Sequence, residues 1–391
     1  MSEIASAAPK ASRDASGIAA RSRACSLPLI GDVSSAEWAD LAGRAAEPNA
    51  YYFPEWTLAA NGGPRWVNRV RALTAFDRGE LIGLVPVVAA AQLWRLPLPM
   101  LVNADPFRSL GTPLLDRDRP QHAAARLIQA AREAGAHALM LRLVPLEGAA
   151  AQAFFDACAS EGLKPRILNA HTRAVLDATR RADHLLAEIL GSKKLKQLRR
   201  QRHRLAEHGE VSVEIARTPD DVARAFVTFL KVEASGWKGA RRTALACDPA
   251  LAARLRVTLL ALAARDACEI IALRAGDDVV ASGIVLRHHG RAFFFKIGMD
   301  ERFARNSPGV QLTVELTRHL CADRAISSAD STAAPDHPMI DHIWPDRMAI
   351  GDILIPLKRR DPLTPVMIGA IRARELARTS ALSVLKRMRG R

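Results

Sequence analysis

The sequence predicts an α/β (α+β) fold, with mixed but mainly antiparallel sheets flanked by helices, and two such units in tandem. Three observations carry that expectation. The chain has 391 residues, and at roughly 100–200 residues per domain two domains are expected. The second half reads in order as helix, helix, three antiparallel strands, loop, helix, strand. The first half shows a weaker version of the same plan: "FDRGELIGLVPV" has the pattern of "RAGDDVVASGIV", without a letter-level repeat.

Taken in order, residues 66–89 read as strand, turn, strand, with "DRGE" supplying the turn between β-branched runs. Residues 120–134 alternate with helical period, and "HALMLRLVP" (137–145) is a buried strand. A helix near 150–162 and a strand, "RAVLDAT" (173–179), follow. Residues 219–237 begin with Pro219 and an acidic turn, then carry an apolar stripe, which spells a helix. Asp248 opens a second helix to residue 267, with Pro249 at its first position. The meander comprises 269–275, 279–288 and 291–299, joined by "GDD" and "HG" turns. A helix to about residue 322 and a strand over 325–332 complete the order.

Composition narrows the function classes. Hydrophobic residues make up 49% of the chain, enough for sizeable cores. Lys and Arg outnumber Asp and Glu by 56 to 41, a formal charge of +15. That balance suits a partner bearing phosphates or carboxylates: a CoA-type cofactor, nucleic acid or an anionic membrane surface. Cys25, Cys158, Cys247, Cys268 and Cys321 are odd in number, widely spaced and form no C-x-x-C. They predict a reducing compartment, no disulfide framework and no zinc cluster. The N-terminus is rich in Ala and Ser and has no apolar core, so residues 1–30 read as a disordered tail and not a secretory signal. No run of about 18 apolar residues predicts a membrane-spanning helix. A cytoplasmic location is expected, or the periphery of the inner membrane surface.

Two basic segments stand out. "GSKKLKQLRRQRHRLAEHG" (191–209) reads as a helix joining the units, with Leu195, Leu198, Gln201, Arg202 and Leu205 near one face. A solvated interdomain brace is its simplest role; binding of tRNA or of a membrane surface are the others. It has no interleaved aromatics for base stacking, so sequence-specific nucleic-acid binding is not expected. Residues 366–391 form a second basic amphipathic helix, suited to a peripheral membrane contact.

The stretch "RFARNSPGVQLTVEL" (302–316) resembles the mouth of a helix. Asn306 and Ser307 are N-cap residue types, Pro308 fits the first helical position, and Gly309 bares the backbone. The N–H groups of Gly309, Val310 and Gln311 would face an anion there. Lys296 lies within "FFFKIGM", where strict alternation puts it on the face of Phe294, opposite Phe293, Phe295 and Ile297. Asp300 and Glu301 end that strand, where one of them would orient an acceptor or act as base; pairing of Asp300 with Arg302 or Arg305 is the plainer alternative. Asp330 ends the next strand, and His337 follows in a loop, as the side-chain type that titrates near neutral pH. His337, Asp341 and His342 have no fixed metal-binding geometry, so no metal is expected.

Three ordered blocks, "VEASGWKGARRTALACDP" (232–249), "FFFKIGMDERFARNSPGVQL" (293–312) and "DSTAAPDHPMIDHIW" (330–344), resemble the signature blocks of the CelD/BcsL-type GNAT acyltransferases, a FemAB-like group built from two tandem GNAT-type domains. The similarity runs over residues 50–355 and is strongest from 190 to 350. It implies a degenerate GNAT-like domain at 31–185, an acyltransferase domain at 186–357, and a C-terminal helix at 358–391. It also implies transfer of an acyl group from acyl-CoA, such as acetyl-CoA, to an amine or hydroxyl of a small-molecule, glycan or peptide acceptor, in exopolysaccharide or envelope metabolism. In that frame Asn306, Ser307, Gly309, Val310 and Gln311 bind the donor. Glu233, Trp237 and Lys238 wall the acceptor site, and Lys296, Asp300, Asp330 and His337 serve the chemistry. An aminoacyl-tRNA donor is the alternative, and a non-enzymatic membrane-surface scaffold another. Met299 and Asn306 stand where the family usually has Tyr. The chain's two tyrosines, Tyr51 and Tyr52, both lie in the first half. A leaving-group acid must therefore come from another residue type, water or the first domain.

Overall fold

The structure is a computed structural model that describes residues 27–64 and 66–389, without the side chains of Trp237 and residues 381–389. Most of the expected tail lies outside these residues, but Leu29 bridges Arg71 and Ile30 is buried.

Helices α1 (Ser35–Gly43) and α2 (Pro54–Asn61) precede a hairpin of β1 (Arg71–Asp77) and β2 (Glu80–Ala89). Its turn holds Arg78 at φ 50° and Gly79 at φ 84°, the pair of left-handed residues a two-residue hairpin needs. There follow α3 (Ala90–Trp94), β3 (Met100–Asn103), β4 (Leu114–Leu115), α4 (Pro120–Glu133), β5 (Ala138–Pro145), α5 (Ala149–Ser160) and β6 (Arg166–Asp177). The second half begins with α6 (Ala182–Ala206), broken at Gly191, and β7 (Val211–Ala216). Then come α7 (Pro219–Ser235), α8 (Trp237–Ala240) and α9 (Pro249–Ala263). Both long helices start as their sequences dictate. Thr218 accepts the Asp221 N–H at 3.2 Å and Asp248 accepts the Leu251 N–H at 2.9 Å, each just before a proline. The meander is β8 (Cys268–Ala275), β9 (Asp278–His288) and β10 (Arg291–Met299), followed by α10 (Pro308–Ala322), β11 (Ser328–Asp330), β12 (Asp346–Pro356) and α11 (Leu363–Arg389).

The expected α/β class is present as a single 12-stranded sheet in the order β1-β2-β3-β5-β12-β6-β11-β10-β9-β8-β7, with β4 beside β2. Two of its pairs are parallel, β3 with β5 and β10 with β11; the others are antiparallel. Strand β12, which the sequence pattern did not reveal, enters the sheet between β5 and β6. Strand β6 from the first half pairs with β11 of the second. Under the division at 185/186, each unit thus completes its sheet with a strand from the other.

The packing follows the same plan. On one face Tyr51, Trp56, Phe226, Phe229, Leu259 and Phe293 share one apolar cluster drawn from both halves. On the other face α10 and α6 pack through Leu198, Leu312, Leu316, Phe294 and Trp344. Helix α11 spends its first apolar turns on the protein itself, since Met367 and Ile371 are buried against Met140 and Leu354.

A buried histidine ties the chain's start to the meander. His288 is 5% exposed. Its Nδ1 accepts the Asn49 N–H at 2.8 Å and its Nε2 donates to the Ala42 carbonyl at 2.9 Å, which fixes the neutral tautomer. Burial, with His289 adding to it, pushes its pKa down to about 3. The unfolded chain binds a proton near pH 6.5 and the folded chain does not. This contribution to stability is therefore complete above pH 6.5. It is lost as pH falls toward 3, at about 1.4 kcal/mol per pH unit. Urea unfolding of wild type between pH 7 and 5 is expected to show a steeper loss than His288→Gln, whose amide can both donate and accept. Equal slopes would contradict the assignment.

Candidate active site

The site forms where β10 and β11 part. They pair only through Arg291–Ser328, Ala292–Ala329 and Phe293–Asp330, and then diverge. At the divergence β10 carries a bulge: Phe294 opposes Val285, but Lys296 opposes Ile284. The extra residue reverses the side-chain parity expected from strict alternation. Lys296 does not share the face of Phe294. It joins Phe295 on the α7 side, where its Nζ lies 3.0 Å from Glu233 Oε1, while Ile297 and Met299 turn toward α10. Phe294 O accepts the Thr332 hydroxyl at 2.7 Å on the β11 side, and the Asp300 N–H bonds Val280 O on the β9 side. The bulge between these fixed points directs the Ile297 N–H and C=O into the fork.

Helix α7 ends directly against this segment. A Cβ on Gly298 would lie 2.9 Å from the Glu233 backbone, so only glycine allows the approach. Glu233 is fully buried in its side chain and receives the Leu245 N–H at 2.8 Å. Its Oε1 meets two ammonium groups, Lys296 at 3.0 Å and Lys238 at 3.6 Å. Lys238 Nζ also donates to the Ile297 carbonyl at 2.5 Å, which places it in the fork. Burial holds Lys238 below the usual lysine range; Glu233 offsets part of this, and Lys296 adds to the depression. The expected wall residues Glu233 and Lys238 and the expected Lys296 are thus brought together. The side chain of Trp237 lies outside the described residues.

The mouth of α10 sits beside the same residues. A Cβ on Gly309 would meet Met339, Ile297 and Met299 at 3.4–3.7 Å. The N–H groups of Gly309 and Val310 are in the first turn, where no helical carbonyl precedes them. The Gln311 N–H is used by Ser307 O at 3.1 Å, so it does not join them. Ser307 is left-handed, at φ 51°, and makes no side-chain cap. Its hydroxyl accepts Gln201 Nε2 from α6 at 3.0 Å, and Asn306 Nδ2 donates to Gln201 O at 3.3 Å. Both side chains therefore clasp α6 to the helix mouth. The outer surface of α6 leaves Lys193, Lys196, Arg199, Arg200 and Arg204 exposed.

Other expected residues are placed less centrally. Asp300 caps the turn at 301–306 and binds Arg302 through Nε and Nη2, at 3.0 and 2.7 Å. Arg302 holds its carboxyl below the usual range, and it faces β9, away from the fork. Asp330 is at the root of the fork but is fully buried and paired with Arg173. His337 is half-buried in the loop covering the fork. Its Nδ1 accepts the Met339 and Ile340 N–H groups at 3.3 and 3.4 Å, which leaves Nε2–H outward as a donor. Burial lowers its pKa, and Lys238 adds to that. Among the described residues no group of three or more His, Cys, Asp or Glu is placed to hold a metal.

Two residues escaped the sequence reading. Tyr51 comes from the first half and packs edge-on against Phe293, with centroids 5.7 Å apart, and tilted on Phe295 at 6.1 Å. Its phenol, pushed up by burial, lies beside Thr332. The sole hint was that both tyrosines precede the fork by over two hundred residues. Arg173 is 2% exposed, pairs with Asp330 and donates to Ser109 O at 2.6 Å. Nothing in "HTRAVLD" marks it.

Residues 192–337 match the family described as Acetyltransferase (GNAT) domain. Among solved structures, FemX aligns with TM-score 0.56 at 10% identity, covering 85% of this chain and 98% of its own. The C-terminal DUF2156 domain of an Agrobacterium fabrum protein, proposed there as a lysylphosphatidylglycerol synthetase, aligns with TM-score 0.53 at 14% identity, covering 86% and 95%. A conserved protein of unknown function from Bacteroides thetaiotaomicron aligns with TM-score 0.51 at 11% identity, covering 84% and 98%. At these identities the likeness is one of fold. A search of curated protein sequences finds no match. No helix among the described residues is long and apolar enough to cross a membrane.

Proposed function

We propose that the chain is an acyltransferase that uses the β10–β11 fork to move an acyl group from acyl-CoA to an amine or hydroxyl acceptor. The observation that carries this reading is the bulge at Phe295 together with the Lys238 Nζ bond to the Ile297 carbonyl, which sets an ammonium beside the Ile297 backbone in the fork. A backbone N–H and an ammonium on one side of a bound thioester suit the oxyanion of a tetrahedral intermediate. The acceptor attacks the thioester carbon, the new C–N or C–O bond forms, and the carbonyl oxygen takes negative charge against these donors. The C–S bond then breaks. Lys238, whose lowered pKa makes it a better acid, gives its proton to the departing sulfur. The amine so formed takes the proton from the new ammonium or oxonium, which restores the ammonium. Glu233 and Lys296 position Lys238. The CelD/BcsL-type resemblance suggests acceptors of exopolysaccharide or envelope metabolism.

A second reading keeps the chemistry and changes the donor to aminoacyl-tRNA. One observation favours it: Gln201 of α6 closes over the α10 mouth, while the outer face of α6 is basic. Calorimetry with acetyl-CoA and longer acyl-CoAs separates the two. Saturable binding is expected of at least one acyl-CoA. No binding of any, with salt-dependent binding of tRNA, would replace the first reading by the second.

A further inference from the structure

The sheet holds a second fork, and its chemistry is unlike the first. In the first half β3 and β5 run parallel through Met100–Ala138 to Val102–Met140 and then part. Asn103 bridges the parting strands: its Oδ1 accepts the Arg142 N–H at 2.7 Å and its Nδ2 donates to Arg142 O at 3.2 Å. Outside this bridge lie two adjoining cavities, of about 210 and 600 Å³. They share Arg108, Arg142, Glu375 and Arg378, and the smaller also has Arg374. The larger extends to Arg173 and Thr332, at the root of the β10–β11 fork.

We propose that these cavities bind a phosphate or diphosphate group, carried by the acceptor, through Arg108, Arg142, Arg374 and Arg378. The acidic side chains nearby are already engaged. Asp352 accepts the Leu143 N–H at 3.0 Å and Asn169 Nδ2 at 2.9 Å, and lies 3.7 Å from Arg142. Glu375 holds Arg378 at 2.6 Å. Asp105 points into its own loop, taking the Phe107 and Leu110 N–H groups at 3.0 and 3.1 Å. The Arg108 backbone N–H donates to Asp105 O at 3.2 Å, while its guanidinium has no hydrogen bond or ion pair among the described residues, and the loop holds the residue left-handed at φ 57°. Trp94 fixes two of the guanidinium groups, with Arg142 at 5.8 Å and Arg374 at 5.0 Å from its ring centroid. Arg108 and Arg374 are both held below the usual arginine range, first by burial and then by neighbouring arginines. Crowded guanidinium groups around an open space are relieved by a bound dianion, and planar arginine forks match phosphate oxygens.

As an acceptor subsite this rests on the fork reading; as an anion site it stands alone. The probe is inorganic pyrophosphate, titrated into the full chain by calorimetry, with vesicles of phosphatidylcholine with and without phosphatidic acid as the second arm. Wild type is expected to bind pyrophosphate saturably, more weakly as salt rises. Arg108→Gln should lose about tenfold in affinity, and Arg108→Gln with Arg378→Gln about a hundredfold, with unchanged thermal unfolding of the free proteins. Lys238→Met should bind as wild type does. If the double variant also loses phosphatidic-acid-dependent vesicle binding, the phosphate belongs to a lipid headgroup; if it loses pyrophosphate binding alone, to a soluble acceptor. Either result upholds the site. Two outcomes overturn it: unchanged affinity in the double variant, or loss of pyrophosphate binding in Lys238→Met, which would place the anion at the catalytic fork.

Discussion

Replacing Lys238 by Met is expected to slow thiol release from acetyl-CoA by about a hundredfold or more, with water or a supplied amine as acceptor. The side chain is held by Glu233 and the Ile297 carbonyl at the point where the oxyanion would form. Methionine keeps the length of the side chain but removes both the charge and the proton. Lys238→Arg separates the two roles, because it keeps a cation but does not release its proton at working pH. It is expected to stay slow while binding acetyl-CoA as wild type does. The pH profile gives the sign. Burial lowers the Lys238 pKa, so its ammonium is lost at lower pH than that of an ordinary lysine. The wild-type rate should therefore fall on the alkaline side as pH rises through that depressed value. The Lys238→Arg profile should lack this limb. Full activity in Lys238→Arg with an unchanged alkaline limb would remove Lys238 from the proton transfer.

The largest effect on stability is expected at Arg173. Its guanidinium joins Asp330 of β11 to Ser109 of the first-half loop, with both charged side chains at most 2% exposed. Arg173→Met leaves the Asp330 carboxylate buried with the Thr332 N–H at 2.8 Å as its remaining partner. Breaking one side of a buried pair costs about 3–5 kcal/mol. Removing both charges, in Arg173→Met with Asp330→Asn, should recover much of that loss. Urea denaturation of the two variants checks this. A double variant no more stable than Arg173→Met would show that packing around the arginine, and not the stranded carboxylate, sets the cost.

Arg173 and Asp330 also show where sequence reading stops. Segments whose signals are local could be read. The helix starting at Pro219 has its Thr218 cap, the helix at Pro249 has Asp248, and the "DRGE" turn joins β1 to β2. What depends on distant partners could not. Strand β12 has an ordinary apolar pattern, and nothing local says that it inserts between β5 and β6. No local signal in "FFFKIGM" marks the bulge at Phe295, so simple alternation put Lys296 on the wrong face. Asp330 was expected to serve the chemistry, but its neutralising arginine lies 157 positions earlier. The cluster of Glu233, Lys238 and Lys296 was legible as residue types within two blocks. Its geometry was not, because it needs Gly298 to let α7 end on β10.

The most direct test of the fork as the place where an acyl group is activated is carbon NMR of carbonyl-labelled acetyl-CoA bound to the full chain. Polarisation by the Ile297 N–H and the Lys238 ammonium predicts a downfield shift of the thioester carbonyl on binding. That shift should be lost in Lys238→Met and kept when Arg108 and Arg378 are both replaced by Gln. A bound carbonyl that resonates where the free one does, or a shift that survives in Lys238→Met, would contradict the account.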